Sequence, residues 1–290
     1  MPIRRAHAHA KINVGLEVLG KRPDGFHEIR SVFVPISFSD VVTAEESTTN
    51  VVECYPSVTD RIESNLAYRA LHALRERTHG LDRTAKITVE KHIPSGGGLG
   101  GGSSDAAAVL RLLNDQWSLQ LESHDLRTLA ASLGSDVPFF LDAQTALVEG
   151  RGELVSVLSW KLPYSIVVVL PGIHVSTPDA YASLERGPLL DAYRTAERRD
   201  TFLSTVLPLF SERPLSTPPP VLPTNDFESV VFTRHPQLQE IKDKLYELGA
   251  TYAAMSGSGS TMYGLFATEP GGKAAVDSFS HLTAYLCQPL

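Results

Sequence analysis

Cysteine is nearly absent from this chain. Cys54 and Cys287 lie far apart with no metal-ligand spacing, which argues against a disulfide framework or a zinc site and suits free thiols in a reducing compartment; spacing alone leaves a single bridge open. Basic runs are also missing, and 26 Lys and Arg against 33 Asp and Glu give a formal net charge of -7. Such a chain has no general attraction for nucleic acid or an anionic membrane, so an anionic substrate must be held by a local site. No apolar stretch approaches a membrane span, and MPIRRAHAHAKIN lacks the apolar core of a signal peptide. The expected location is cytoplasmic, while plastid import of a longer precursor would leave no trace here. No period of about 20 to 50 residues repeats, which argues against a solenoid.

What is present is an ordinary globular composition, 42% hydrophobic and 20% charged over 290 residues, enough for one large or two medium domains. The chain is organised around HIPSGGGLGGGSSDAAA, residues 92–108, where six glycines between Gly96 and Gly102 are interrupted only by Leu99. Glycines keep no side chain between backbone and ligand and tolerate positive φ, so successive N–H groups can converge on an anion. The helix expected next adds N–H donors and the positive end of its dipole, with Ser103 and Ser104 able to cap it or bond phosphate oxygens. A flexible linker is the competing reading. Linkers rarely sit between an alternating strand segment (Ile87, Val89) and a helix bearing Val109, Leu112, Leu113 and Trp117 on one side. No lysine follows the last glycine, which excludes GxxxxGK[ST]. A GxGxxG at Gly96, Gly98 and Gly101 is weak support for a dinucleotide site, because the acid about twenty residues on, Glu122, falls in a loop-like segment.

In chain order, alternation at Ile12, Val14, Leu16 and Val18 predicts a strand ending in a turn at Arg22-Pro23-Asp24-Gly25. Residues 29–36 predict a second strand, and residues 40–46 and 51–54 shorter ones, making the opening mostly antiparallel. Residues 65–79 read as a helix with Ser64 or Asn65 as N-cap and Gly80 as stop. A strand at 86–91 precedes the glycine loop, and a helix over 124–133 ends at Gly134. Asp136 then falls at a helix exit, with Pro138 preventing continuation. Residues 146–158, with Gly150 and Gly152 inside, predict a hairpin or bulged strand closing a first domain. Ile166 to Leu170 reads as a buried strand, and the five prolines of 213–223 as a surface connection. A helix over 237–248 and a strand over 252–255 lead to a second small-residue loop, SGSGST, residues 256–261.

Alone, SGSGST reads as a turn; beside the first loop it reads as a support for a phosphate site in a cleft between domains. Spacing does not single out Lys11, which a strand start would leave solvated, or Asp136, which suits a turn. His7 and His9 form an HxH pair, but with no third ligand in view the metal reading is weak.

Together, AKINVGLEVLGKRPDGFHEI, IPSGGGLGGGSSDAAAVLRLLN, LGSDVPFF, TNDFE and MSGSGST resemble the ordered motifs of the GHMP kinases. The likeness spans most of the chain, and RPDGFHEI is its most discriminating segment. It implies an α+β fold of two domains, 1–158 and 159–290, with the active site in the cleft between them. It further implies transfer of the ATP γ-phosphoryl group, with Mg²⁺, to the 2-hydroxyl of a methylerythritol bearing a cytidine diphosphate, a step of the non-mevalonate route to isoprenoid precursors. Lys11 and Asp136 match the pair facing the substrate hydroxyl. The loop Pro94, Ser95, Gly96, Gly97, Gly98, Leu99, Gly100, Gly101, Gly102, Ser103 and Ser104 matches the ATP phosphate cradle, with Asn65 and Lys91 near the adenine. Asn13, Phe26, His27 and Tyr181 match positions around the cytidine-bearing substrate, where aromatic faces suit cytosine and a histidine can bond its edge.

The chain departs from that pattern twice. Phe26 replaces the usual tyrosine, keeping a stacking face and losing a hydroxyl, and His9 stands where proline or serine is common, without a functional account. Two rival readings are another GHMP small-molecule kinase (mevalonate-type, homoserine or sugar) and a nucleotide-binding protein of this fold without catalysis. The latter is disfavoured by Lys11, Asp136 and an intact loop occurring together. No partner other than the small-molecule substrate is implied, and the sequence leaves the metal ligands and oligomeric state unassigned.

Overall fold

The computed structural model describes residues 3–57, 61–77, 83–215 and 219–290; Gly80, expected as a helix stop, and Pro218 of the proline-rich connection lie outside them. The chain divides into two compact units, each assembled from separate segments. The first comprises residues 1–10, 38–95 and 100–143, and the second residues 11–37, 96–99 and 144–290. The division cuts both long opening strands, β1 (Arg4–Lys21) and β2 (His27–Glu46). The two segments expected at 29–36 and 40–46 are one strand: the polar Ser37 and Ser39 interrupt the apolar pattern but not the pairing, since Ser37 N donates to the Gln288 carbonyl at 2.8 Å.

In the first unit, residues 41–46 of β2 pair antiparallel with β4 (Ala85–Glu90), which pairs in parallel with β3 (Val51–Tyr55). Between β3 and β4 runs α1 (Leu66–Glu76), whose N-cap is Asn65, its side chain accepting from Ala67 N. Apolar residues at helical spacing bury Ala67, Ala70, Leu71 and Leu74, each leucine contributing about 1.5 to 3 kcal/mol of burial. They pack on α2 (Gly101–Gln116), which also meets α4 (Val137–Asp142), while α3 (Ser123–Leu133) contacts α1, α2 and α4.

Two expectations need correcting here. The N-cap of α2 is Gly100, at φ +73, so Ser103 and Ser104 lie inside the first turn and do not cap it. Glycine reaches this left-handed conformation without steric cost, which serine would not. Pro138 begins a helix and does not bar one: it occupies the first turn of α4, where a missing N–H costs nothing, and Asp136 is the residue that enters that helix.

In the second unit, residues 29–33 of β2 pair antiparallel with β5 (Ala146–Gly150), and β5 with β6 (Leu154–Val157), the expected hairpin. A separate sheet is built around β7 (Ser165–Leu170), an apolar run buried on both faces. α5 (Thr177–Ser183), α6 (Ala196–Val206), α7 (Glu228–Arg234) and α8 (Pro236–Glu247) follow, then β8 (Tyr252–Met255), β9 (Met262–Phe266), α9 (Glu269–Ser278) and β10 (Thr283–Cys287). The strand order is β10-β7-β9-β8, antiparallel throughout. α8 and α9 cover this sheet, and Leu16, Val167, Val169, Phe227, Leu238 and Met262 belong to the core beneath. Among the described residues, neither Cys54 nor Cys287 is joined in a disulfide. Among the described residues no helix is long and apolar enough to cross a membrane.

Candidate active site

Lys11 is buried in β1, not solvated at a strand start. Its ammonium donates to Asn13 Oδ1 at 2.5 Å and to the Gly98 carbonyl at 2.9 Å, and lies 4.6 Å from the centre of the Phe33 ring. Asn13 is fixed from every side. Its amide nitrogen donates to Ser31 Oγ at 2.9 Å, Ser31 donates to the Gly15 carbonyl, and the Tyr263 hydroxyl donates to the Asn13 carbonyl at 2.6 Å. A buried ammonium oriented by an amide and a glycine carbonyl is a preorganised positive charge.

That carbonyl belongs to the glycine loop. Gly96, Gly98 and Gly100 all have positive φ (+70, +79 and +73), while the one side chain of the run, Leu99, is 1% exposed and anchors it; the Leu99 carbonyl accepts from Lys11 N at 3.0 Å. SGSGST forms the β8–β9 turn and supports the loop: Thr261 N donates to the Gly97 carbonyl at 3.2 Å, and Ser256 Oγ to the Gly98 carbonyl at 2.9 Å. The turn is itself clamped by Asn225, whose amide nitrogen donates to the carbonyls of Met255 and Gly257, both at 2.8 Å, while Glu228 accepts from Met255 N. The TNDFE segment also bonds to β1, since Leu16 N donates to the Thr224 carbonyl and Asp226 N to that of Leu16. Ser256, Asn225 and Ser31 thus position the loop and the lysine. The SGSGST and TNDFE motifs carried the sequence signal for Ser256 and Asn225, and none marked Ser31.

Gly101, Gly102 and Ser103 open α2, and their N–H groups precede the first intrahelical bond, Ser104 N to the Gly100 carbonyl at 2.9 Å. Gly102 is exposed and Ser103 partly so, which leaves the dipole end of a 16-residue helix open to an anion. Beneath it, the buried Lys91 is held between two carboxylates, donating to Asp40 and, at 2.6 Å, to Asp105 Oδ2. Burial works against its charge, but Asp105 and Asp40 outweigh that and hold its pKa above the ordinary lysine value. Asp105 is pushed up to about 7, chiefly by burial, against the pull of Lys91 and with the repulsion of Asp40. Its Oδ1 is buried without a hydrogen-bond partner. Asn65, at the start of α1, also donates to Cys54 Sγ at 3.1 Å. Asp40 and Asp105 carried no recognisable signal.

Of the residues expected around the cytidine, Asn13 lies with Lys11, while His27 and Tyr181 meet each other. His27 and Tyr181 stack face to face, centroids 4.8 Å apart at 20°, and Tyr181 meets Phe227 edge-on. Burial, helped by Lys21, lowers the His27 pKa, favouring the neutral imidazole. Phe26 is 51% exposed, with the Arg151 guanidinium 4.6 Å from its ring centre. Asp136 enters α4 without capping it through its side chain.

A buried ammonium, a glycine loop ahead of a helix N-terminus and a supporting small-residue turn define a class, that of the GHMP kinases. The model of the GHMP kinase N-terminal domain matches residues 65–144 and that of the C-terminal domain residues 220–282. A curated relative from Prosthecochloris aestuarii, 4-diphosphocytidyl-2-C-methyl-D-erythritol kinase, is 41% identical over 94% of this chain and 92% of its own. A crystal structure of 4-(cytidine 5'-diphospho)-2C-methyl-D-erythritol kinase superposes with a TM-score of 0.79 at 32% identity, covering 98% of each chain. The mevalonate kinase of Methanococcus jannaschii shares the fold alone, with a TM-score of 0.69 at 11% identity over 100% of this chain and 99% of that one. The chain belongs to the 4-diphosphocytidyl-2-C-methyl-D-erythritol kinase family of the GHMP kinases.

Proposed function

We propose that the protein transfers the γ-phosphoryl group of ATP to the 2-hydroxyl of 4-diphosphocytidyl-2-C-methyl-D-erythritol. The observation that carries this reading is the buried Lys11 ammonium, fixed on the carbonyl of the phosphate-loop residue Gly98. Phosphoryl transfer passes through a loose transition state, so positioning and charge stabilisation outweigh proton abstraction. The backbone N–H groups of residues 95–103 hold the ATP phosphates, and Lys11 stabilises the transferring group and polarises the hydroxyl. Asp136 orients that hydroxyl and accepts its proton late. Asn65 and Lys91 serve the adenine side of the nucleotide, Lys91 from its carboxylate clamp. Phe26 and Tyr181 offer stacking faces to cytosine, neutral His27 bonds its edge, and Asn13 holds Lys11 in register.

Mg²⁺ fits this site as an ion carried in by the nucleotide. Among the described residues no group of three or more His, Cys, Asp and Glu could hold a metal, and Mg²⁺ in kinases is held mainly by phosphates and water with one or two protein oxygens. The hydroxyls the loop offers are those of Ser95, which is exposed, and of Ser103 in the first turn of α2, whereas Ser104 is buried. Bound there, the ion would neutralise phosphate charge.

The test is product formation from ATP with 4-diphosphocytidyl-2-C-methyl-D-erythritol, mevalonate, homoserine and galactose in parallel. Phosphorylation of the first alone is expected; equal turnover of another alcohol, or none of any, would overturn the reading.

A further inference from the structure

The second unit contains a cavity of about 530 Å³, lined among others by Glu17, Leu19, Arg30, Arg186, Tyr193 and Arg198. None of the residues assigned above to the nucleotide, the alcohol or the transfer lines it, yet its volume falls in the range of small-molecule sites. Its floor is Arg30, the largest fully buried side chain described. Nε of that guanidinium donates to Glu149 at 3.0 Å and Nη2 to the Tyr193 carbonyl at 3.3 Å. Nη1 has no hydrogen-bond partner, although it is buried. It forms an ion pair with Glu17 Oε2 at 3.6 Å, beyond a good hydrogen bond.

Nη1 is covered and the Glu17 side chain is 37% exposed, so a turn of that carboxylate outward lets one hydroxyl oxygen accept from Nη1 and donate to Glu17, each at about 2.8 Å. A buried donor left unsatisfied is costly, so the pair gains from such a bridge. At the rim, Arg186 is committed to Asp226 at 2.6 Å. Arg198 is exposed, forms no salt bridge among the described residues and lies 5.9 Å from the Tyr193 ring centre. It is the cation left to meet an anion arriving from solvent, and guanidinium matches phosphate oxygens in pairs. We propose that this cavity is a second ligand site, taking a small sugar phosphate or phosphorylated polyol whose hydroxyl bridges Arg30 and Glu17 and whose phosphate pairs with Arg198.

Isothermal titration of the full chain with ribose 5-phosphate, with ribose and inorganic phosphate as the two halves, tests this. Saturable binding with a Kd of about 1 mM or tighter is expected, at least tenfold weaker for each half, and persisting when the nucleotide site is saturated with a non-hydrolysable ATP analogue. Arg198→Met, on the surface, should weaken ribose 5-phosphate at least tenfold without changing analogue affinity. Glu17→Ala should remove the preference for ribose 5-phosphate over inorganic phosphate. Absence of saturable binding, displacement by the ATP analogue, or affinities unchanged in both variants would each overturn the proposal.

Discussion

Gly98 and Ser256 meet backbone to backbone: a β-carbon at Gly98 would stand 1.9 Å from the Ser256 carbonyl oxygen and 2.8 Å from its carbon. No rotamer relieves a clash between two main chains, and φ at Gly98 is +79. We predict that Gly98→Ala displaces the phosphate loop from its supporting turn, weakening ATP by at least about tenfold and lowering Tm, because strain at a special φ and overpacking each cost on the order of 1 to 3 kcal/mol. Gly96→Ala is the control: its φ is +70, but the nearest atom to an added β-carbon is His174 Nδ1 at 3.8 Å. It should cost only about 1 kcal/mol of backbone strain. Equal loss of ATP affinity in the two variants would show that φ alone, and not the contact with Ser256, sets the loop.

The pairing of these loops marks the limit of what the sequence discloses. Each could be read as a small-residue turn after a strand, because glycine and serine runs are local signals. That the second supports the first is suggested by their occurring together, but the contact that does so is not, since Ser256 and Gly98 are 158 positions apart and no periodicity encodes it. The same holds for Asn225, whose role appears only once its amide is seen bonding Met255 and Gly257. Local errors had local causes: Ser103 and Ser104 suggested a capped helix start, but the left-handed Gly100 placed the start two residues before Ser103. Lys11 carried an ambiguity of its own: a lysine at a strand start is ordinarily solvated, and only its buried partners reveal otherwise.

The Lys91 cluster should make stability depend on pH in a direction opposite to that of most carboxylates. Asp105 has its folded pKa raised to about 7, so between the usual carboxylate value and about 7 the folded state holds a proton that the unfolded state has released. Stability from this group is therefore greatest at the acid end of that window and falls as pH rises through it. Asp105→Asn, uncharged at every pH, should flatten this part of the profile. Thermal unfolding from about pH 4 to 8 in both proteins checks it, and a difference that grows toward acid would reverse the assignment.

Lys91→Met leaves Asp40 and Asp105 buried without their cation. Breaking a buried ion pair from one side costs about 3 to 5 kcal/mol, so Tm should drop severely, whereas Lys91→Met/Asp40→Asn/Asp105→Asn should recover much of it. If the triple variant is stable and still binds ATP normally, the lysine serves the carboxylates and not the adenine.

The His27–Tyr181 stack predicts a separation of effects. Tyr181→Ala removes a face worth about 1 to 3 kcal/mol in comparable base contacts, raising KM for the cytidylylated alcohol by one to two orders of magnitude and leaving that for ATP nearly unchanged. Phe26→Ala should act in the same direction. His27 is held toward its neutral form by burial, so KM for the alcohol should rise only as pH falls below the ordinary imidazole range. Parallel losses for both substrates would return these rings to core packing.

Lys11 and Asp136 are predicted to act as one unit on the reacting hydroxyl. Asp136→Asn keeps the shape and a hydrogen-bonding oxygen but cannot take a proton, so kcat should fall about 10² to 10⁴ fold with both substrates still bound. Lys11→Met keeps the length of the side chain and removes the charge that Asn13 and Gly98 hold in place. Its cost should be comparable, because transition-state charge loses a preorganised partner. The Asn13 and Gly98 oxygens would then lose a donor, so Lys11→Met should also lower Tm, and Lys11→Arg should restore stability better than activity, since guanidinium is broader than ammonium. For residues that act together, the double variant should be little slower than the slower single one. Steady-state kcat and substrate affinity for the single and double variants, each with its unfolding curve, decide the matter. Near-normal kcat in folded Asp136→Asn would leave catalysis to positioning and to Lys11, whereas additive losses in the double variant would mean that the two groups serve different steps.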